Sequence, residues 1–456
     1  MSGATTVATV LCAVRGSREA EVVTTLAAPG LQVTRRCADV VELLAAAAAG
    51  AGRVAVVSCD LPALDRQAIV DLHAHDVRIV ALAPAGTWEE GRVRAHGVDA
   101  VVDLDAAPDS LCDVVRSVLP ARTRAGAPPG TPAREGVPSA PVPGREPRLG
   151  RTVAVWGPTG APGRTTLATN LAAELAGPAA PRRSRPARRG HRAAGAAPAA
   201  LPAPEAEVLL VDADTYGGSV AQRLGLLDES PGLAAAARSA GQGALDAAGL
   251  LTLAPAVVPR VRVLTGLTRA ARWPELPGAS LDAVWEVARS VADWTVVDCG
   301  FGIERDELLT YDTRAPQRND ATLSALAAAD VVVVVGAGDP VGLQRLVRAL
   351  DELTESGAGV GASRLVVVNR VRSSVVGARP ERAVRDAMAR YASIDDVHVV
   401  PEDGAVDLGL REGRTLAESA PASPARHAVA RLAAHVRETV PPGRGAAHGR
   451  PLEAAH

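Results

Sequence analysis

Gly157-Pro158-Thr159-Gly160-Ala161-Pro162-Gly163-Arg164-Thr165-Thr166 brings together bare backbone N–H groups, one cation and adjacent hydroxyls, the set a polyphosphate needs. It follows an apolar run, Val153 to Trp156, and opens a segment where Leu167, Leu171 and Leu175 recur before Gly177. That spacing marks one face of a helix with a glycine stop. Strand, glycine-rich turn and helix is the context in which a loop cradles phosphate, because unpaired N–H groups and the positive helix end face the anion. Gly160, Ala161, Gly163, Arg164, Thr165 and Thr166 are therefore candidate phosphate-binding residues, with the Thr165 hydroxyl placed for Mg²⁺. An ordinary Gly/Pro turn is the plainer alternative.

Elements elsewhere must hold that loop. Glu207-Val208-Leu209-Leu210-Val211-Asp212-Ala213-Asp214 is a buried-type strand ending in paired carboxylates, and Trp294-Thr295-Val296-Val297-Asp298 is another ending in one. Val331 to Val335, Leu365 to Val368 and Val397 to Val400 add β-branched runs with helical stretches between them. Continuous apolar strands alternating with helices predict an α/β fold, a doubly wound parallel sheet covered on both faces. Ligands of such sheets bind beyond the carboxyl ends of the strands. The loop from 157, Asp212, Asp214 and Asp298 all fall at those ends.

In this order the motifs resemble the MinD/ParA branch of P-loop ATPases, and more narrowly its CpaE-type and septum-site-determining members. The resemblance runs from Arg151 to about Val440. The loop is similar to the deviant Walker A, and Asp212-Ala213-Asp214 to the first switch. Asp298-Cys299-Gly300-Phe301-Gly302-Ile303-Glu304 resembles Walker B with the second switch. Val368-Asn369-Arg370 and Pro401-Glu402-Asp403 resemble the segments beside the adenine. The resemblance implies ATP or ADP with Mg²⁺ as cofactors, and Thr165, Asp212 and Asp298 at the metal. It further implies Asp214, Arg164 and Asp298 in catalysis, Asn369, Arg370 and Pro401 at the nucleotide, and a homodimer.

The departures carry information too. Aligned on Gly163, the family's signature lysine falls on Thr159 and its first loop glycine on Pro158, while Pro162 has no N–H to give. The chain contains no lysine, so all 49 basic residues are arginine. That accounts for Arg164, but not for Thr159 or Pro162. A guanidinium is a bulkier planar fork than an ammonium. Contacts that stabilise a transferring phosphoryl group lower its barrier by several kcal/mol, so the expectation is nucleotide binding with slow or lost hydrolysis. Three functional classes follow: a spatial regulator placing a septum or a Tad/Flp-type pilus machine, a nucleotide-free scaffold, or a ParA-like DNA-partitioning ATPase.

Residues 1–119 read as a separate, smaller flavodoxin-like unit with candidate strands Val7 to Val14, Leu31 to Thr34, Val54 to Val57, Val77 to Leu82 and Ala100 to Val102. Five alternating units resemble a response-regulator receiver. Ser58 stands where the phosphoacceptor aspartate belongs, Asp60 is off register, and Asp103 replaces a lysine. A pseudo-receiver that docks a protein partner is the better reading. Residues 120–150 have a Pro/Gly/Arg linker composition, and 177–206 form a similar insertion into the second unit, 151–440. Within it, Pro181 to Arg192 packs six arginines into twelve residues, a candidate for weak membrane or DNA contact through Arg182–Arg192 or simply a solvated tether. Residues 441–456 read as a flexible tail.

Net charge of −2 does not suggest a nucleic-acid binder. Cys12, Cys37, Cys59, Cys112 and Cys299 share no zinc or disulfide spacing. His73 and His75 read as a solvated helix end, and Asp339-Pro340 as a turn. No apolar run reaches the length of about 18 residues that a bilayer demands. The expectation is a cytoplasmic protein, peripheral at the inner face of the membrane if the basic run engages it.

Overall fold

The computed structural model describes residues 7–16, 18–119, 149–160, 163–177, 206–226, 231–305 and 316–440. Ala161, most of the linker, the insertion with Arg182–Arg192, and the tail from 441 lie outside the described residues.

Two sheets organise the chain. The first contains β1 (Ala8–Ala13), β2 (Leu31–Arg36), β3 (Val54–Ser58), β4 (Arg78–Ala83) and β5 (Ala100–Asp103), all parallel, in the order β2-β1-β3-β4-β5. This is the flavodoxin-like doubly wound order. Ser58 ends β3 with its Oγ accepting the Arg15 N–H at 3.2 Å, and Asp60 sits beside Arg15 at 3.8 Å. That rim therefore holds a cation, a hydroxyl and one exposed carboxylate. His73 does not end in solvent: its Nε2 lies 2.8 Å from Asp99 Oδ2.

The second sheet has eight strands: β6 (Arg151–Trp156), β7 (Val208–Ala213), β8 (Ala256–Val258), β9 (Val261–Leu264), β10 (Trp294–Cys299), β11 (Val331–Ala337), β12 (Ser363–Val371) and β13 (Val397–Pro401). Their order is β13-β12-β11-β6-β10-β7-β9-β8. All pairs are parallel except β8 with β9, so the expected parallel sheet carries one short antiparallel edge. The valine runs are continuous because both faces are buried. Val331, Val333 and Val335 pack with Val153, Val155 and Leu171 against the helices Arg164–Ala176 and Pro424–Thr439. Val332, Val334, Ala154 and Trp156 face the opposite layer, where Trp285 and Leu281 of the helix Gly278–Val291 fill the core. Trp285 and Trp294 are core residues, as their sequence context implies.

The two α/β units touch. Arg66 of the first approaches Glu286 of the second at 3.6 Å, and buried His96 lies against Gly243. At the amino end of the large sheet, Asp330 accepts from Thr152 N–H at 2.8 Å and Arg151 at 3.2 Å, and pairs with Arg289 at 2.9 Å. Asp339-Pro340 is a helix start rather than a plain turn: Asp339 Oδ1 accepts the Gly342 N–H at 2.9 Å, capping the helix Pro340–Glu355.

Trp156 closes β6 beneath the glycine-rich loop, is 1 % exposed, and donates its indole N–H to the Phe301 carbonyl at 3.1 Å. It ties the strand under one candidate motif to the segment after β10. Trp156→Ala is expected to lower unfolding free energy by about 3–5 kcal/mol in urea titration. Trp156→Phe keeps most of the volume and is expected to cost about 1–3 kcal/mol, through the carbonyl left unpaired. Equal, small losses in both variants would contradict that role.

Candidate functional site

β6, β7 and β10 end together, and the register sets Val155 and Asp212 on either side of Asp298. From there the chain turns at Gly157 and enters the helix Arg164–Ala176 through Gly163, whose φ is 93°. Only glycine takes that backbone without strain. A side chain at Gly163 would also collide with the Asn369 amide from β12. The loop and the asparagine strand are thus packed against each other, as the order of motifs suggested.

The three acids behave differently. Asp212 is buried and already engaged: Oδ1 accepts the Asp214 N–H at 3.2 Å and Oδ2 the Val220 N–H at 3.0 Å. Burial still outweighs those bonds and pushes its pKa up to about 6. Asp214 accepts from Tyr216 N–H at 2.9 Å and Gly217 N–H at 3.3 Å through Oδ1, and its Oδ2 faces Arg164 at 3.6 Å. Asp298 is 1 % exposed, and beyond the Thr165 hydroxyl beside it the carboxylate meets no close hydrogen-bond partner among the described residues. Burial first, and the neighbouring Asp212 second, hold its pKa well above the usual carboxylate range. Thr165 offsets part of that rise. A buried carboxylate without a partner is costly. It is the donor a divalent cation would satisfy, and the hard oxygen set suits Mg²⁺.

Arg164 is not extended out of the loop. Its Nη1 donates to the Gly157 carbonyl at 2.9 Å and the Pro158 carbonyl at 3.1 Å, while Nη2 faces Asp214. The guanidinium therefore braces the loop against the first acidic turn. The next segment is braced as well. Tyr216 stacks near Phe301 at 4.4 Å, donates to Asn319 Oδ1 at 2.8 Å, and lies under Arg318 at 4.1 Å.

Beside the loop opens a cavity of about 490 Å³ whose lining includes Gly163, Thr166, Asn170, Asn369, Arg370 and Pro401. Volumes of this order accommodate a small ligand. Arg370 sits at a register break between β12 and β13 with φ 57°, a bulge that re-aims an exposed side chain beside the cavity. Pro401 leads into Asp403, whose two oxygens accept the Ala405 and Ala425 N–H groups at 2.9 and 3.2 Å, fixing that wall.

Three residues here escaped the sequence reading. Asn170 donates to the Thr166 carbonyl at 2.8 Å and accepts the Leu416 N–H at 2.7 Å, tying the loop helix to the far wall. Arg223 lines the cavity, half-buried, with burial holding its pKa below the arginine norm. Arg345 arrives from the helix Pro340–Glu355 and lies directly on Gly160, where any side chain would strike its guanidinium. No local motif marks these; polar residues of amphipathic helices read as solvated. Residues of the candidate set that the structure brings together are Gly160, Gly163, Arg164, Thr165, Thr166, Asp212, Asp214, Asp298 and Asn369, with Arg370 and Pro401 across the cavity.

Folding makes the Asp298 carboxyl hold its proton more tightly than the unfolded chain does. The cation-free protein therefore has this contribution in full in acid and loses it as pH climbs towards the raised folded value. Asp298→Asn removes the charge and keeps the shape. In metal-free buffer the two proteins are expected to melt together in acid. Near neutrality the variant should melt about 2–4 °C higher, the shift that about 1 kcal/mol gives in a domain of this size. A variant melting at or below wild type near neutrality would contradict an unpaired buried charge.

No family profile matches the chain, and no curated protein does. Similar solved structures include the cell division ATPase MinD of Pyrococcus furiosus, 20% identical, covering 64% of this chain and 99% of that one, TM-score 0.45. The septum site-determining protein MinD complexed with Mg-ADP from Pyrococcus horikoshii is 18% identical over 63% of this chain and 96% of its own, TM-score 0.45. A ParA family ATPase from Chlorobium tepidum is 17% identical over 62% and 99%, TM-score 0.47. At these identities and scores the likenesses do not establish a family for the chain.

Proposed function

We propose that the chain is an ATP- and ADP-binding spatial regulator, of the kind its motifs resemble in septum-site-determining and CpaE-type proteins, with slow ATP turnover. One observation carries this reading: the buried Asp298 carboxylate, with no close partner but the Thr165 hydroxyl among the described residues, at the foot of a glycine-rich loop that opens into the neighbouring cavity. Bound, the Mg²⁺ of a nucleotide complex would supply the positive charge that the buried acids lack. Thr165 and Asp298 would hold the metal, Asp212 and Asp214 shaping the turn beside it. Gly160, Gly163, Arg164, Thr165 and Thr166 would face the phosphates, and Asn369, Arg370 and Pro401 the nucleoside.

Slow turnover follows from where the cations are. Arg164 is spent on the loop's own carbonyls and on Asp214, and Thr159 offers no charge. Arg345, resting on Gly160 beside Thr159, is a cation placed to meet a terminal phosphate, and it comes from the same chain. We read it as a phosphate-binding residue that partly replaces the absent lysine. A second copy of this chain is the expected dimer partner. The first unit, whose strand ends present Arg15, Ser58 and Asp60 rather than an acidic pocket, serves as a docking module for a protein partner. Among the described residues no helix is long and apolar enough to cross a membrane.

Thermal melts with ATP, ADP and no nucleotide, all with Mg²⁺, test the reading, because a ligand bound by the native state raises its stability. Both nucleotides are expected to raise the melting temperature. Arg345→Ala is expected to weaken ATP binding about tenfold or more, the worth of a charge-assisted hydrogen bond of about 1.5–3 kcal/mol, and ADP binding less. Thr159→Lys is expected to speed turnover. No response to either nucleotide would favour the scaffold alternative. Rapid turnover by wild type would overturn the slow-turnover part alone.

A further inference from the structure

On the outer edge of the large sheet, two imidazoles face each other. His398 projects from β13 and His435 from the helix Pro424–Thr439, with His398 Nε2 and His435 Nδ1 2.8 Å apart. Asp396, immediately before β13, brings Oδ2 to 3.9 Å from the same His435 nitrogen. One ligand atom from each of the three lies within 4.8 Å of the others. Neither ring has a further hydrogen-bond partner among the described residues. Both rings are half-buried and Asp396 is exposed, so the group is reachable from solvent on its carboxylate side.

Two bases from different elements pointed at one place need something between them. A proton shared between the rings satisfies the two nitrogens and leaves the carboxylate without a role. A divalent ion uses all three donors and leaves a fourth position for water, the usual count of protein ligands at an open zinc site. Tetrahedral coordination with metal–nitrogen bonds of about 2.0–2.1 Å holds two imidazole nitrogens about 3.3 Å apart. The rings would open by about half an ångström, and Asp396 would close by about 0.6 Å on His435 and by more on His398, both movements a side-chain rotation can supply. Nitrogen donors with one carboxylate select a borderline ion over Mg²⁺ or Ca²⁺. The groups facing His398 are His435, Asp396, Arg431 and Arg385. Of these, the two arginines weigh against a cation and Asp396 for it.

We propose that Asp396, His398 and His435 form a binding site for a Zn²⁺-class divalent ion that pins the helix Pro424–Thr439 to β13. The same helix and strand wall the candidate nucleotide cavity through Ala425, Val429, Val400 and Pro401. Ion binding therefore stiffens that wall, yet the site itself does not depend on the nucleotide reading.

The test uses the full chain, stripped of metal by chelation and dialysis and free of nucleotide. Zn²⁺ alone is titrated calorimetrically into wild type, His398→Ala, His435→Ala and Asp396→Asn, each checked for folding by circular dichroism. One tight equivalent is expected in wild type, weakened at least tenfold in each histidine variant and less in Asp396→Asn. Co²⁺ in place of Zn²⁺ should give the intense visible absorption of a four-coordinate ion in wild type and lose it in both histidine variants. Zn²⁺ affinity equal in wild type and both histidine variants overturns the site, as does a wild type without a tight equivalent. If a histidine variant does not fold, Asp396→Asn and the cobalt spectrum of wild type decide: octahedral, weak absorption overturns the proposal.

Discussion

Asp298 sits at the carboxyl end of a central strand with β6 on one side and β7 on the other, shut away from water and, among the described residues, with only the Thr165 hydroxyl as a close partner. Thr165 and Arg164 compensate it only in part, and the other acids of the rim are engaged elsewhere. Asp212, next door in register, is quenched by two backbone N–H groups. Asp214 is quenched by two more and by Arg164. Trp156 and Phe301 seal the underside. An uncompensated buried carboxylate is a liability in a protein that binds nothing, and its retention beside a phosphate-type loop is what makes an anion with its metal the fitting occupant.

The loop itself shows how a basic residue can be present without being available. The chain's arginine at 164 keeps the charge of a phosphate loop, but a planar fork can reach two carbonyls and a carboxylate at once, and it does. Arg345 is placed from outside the loop, on the glycine next to Thr159. On the proposed reading, charge that a motif would supply locally comes instead from a helix far away in sequence, which would separate holding the loop from meeting a phosphate.

Much of this was legible beforehand because long valine runs bounded by acids leave few readings. The strands around Val153, Val208, Val296 and Val331 lie where the apolar runs put them, Gly163 and Thr165 open the helix after the loop, and Asn369 lies on the strand that the family resemblance named. What stayed hidden depended on distant packing. Arg345 and Asn170 look like ordinary helix residues until tertiary structure brings one to Gly160 and the other to Leu416. Asp212 reads as a metal ligand by position, yet its neighbours' N–H groups occupy both oxygens. The three-residue β8 carries too little pattern to announce an antiparallel edge. His398 and His435 are 37 residues apart, on a strand and a helix, so no spacing rule joins them.

On the proposed reading, the buried Asp298 carboxylate awaits a cation that arrives with a nucleotide. Calorimetric titration of ADP into the full chain, with Mg²⁺ and with chelator, measures this directly in wild type and in Asp298→Asn. The account predicts that Mg²⁺ tightens ADP binding at least about tenfold in wild type, equivalent to about 1.4 kcal/mol, and does little in the variant. Affinity that ignores Mg²⁺ in wild type, or a Mg²⁺ effect that survives the loss of Asp298, would contradict it.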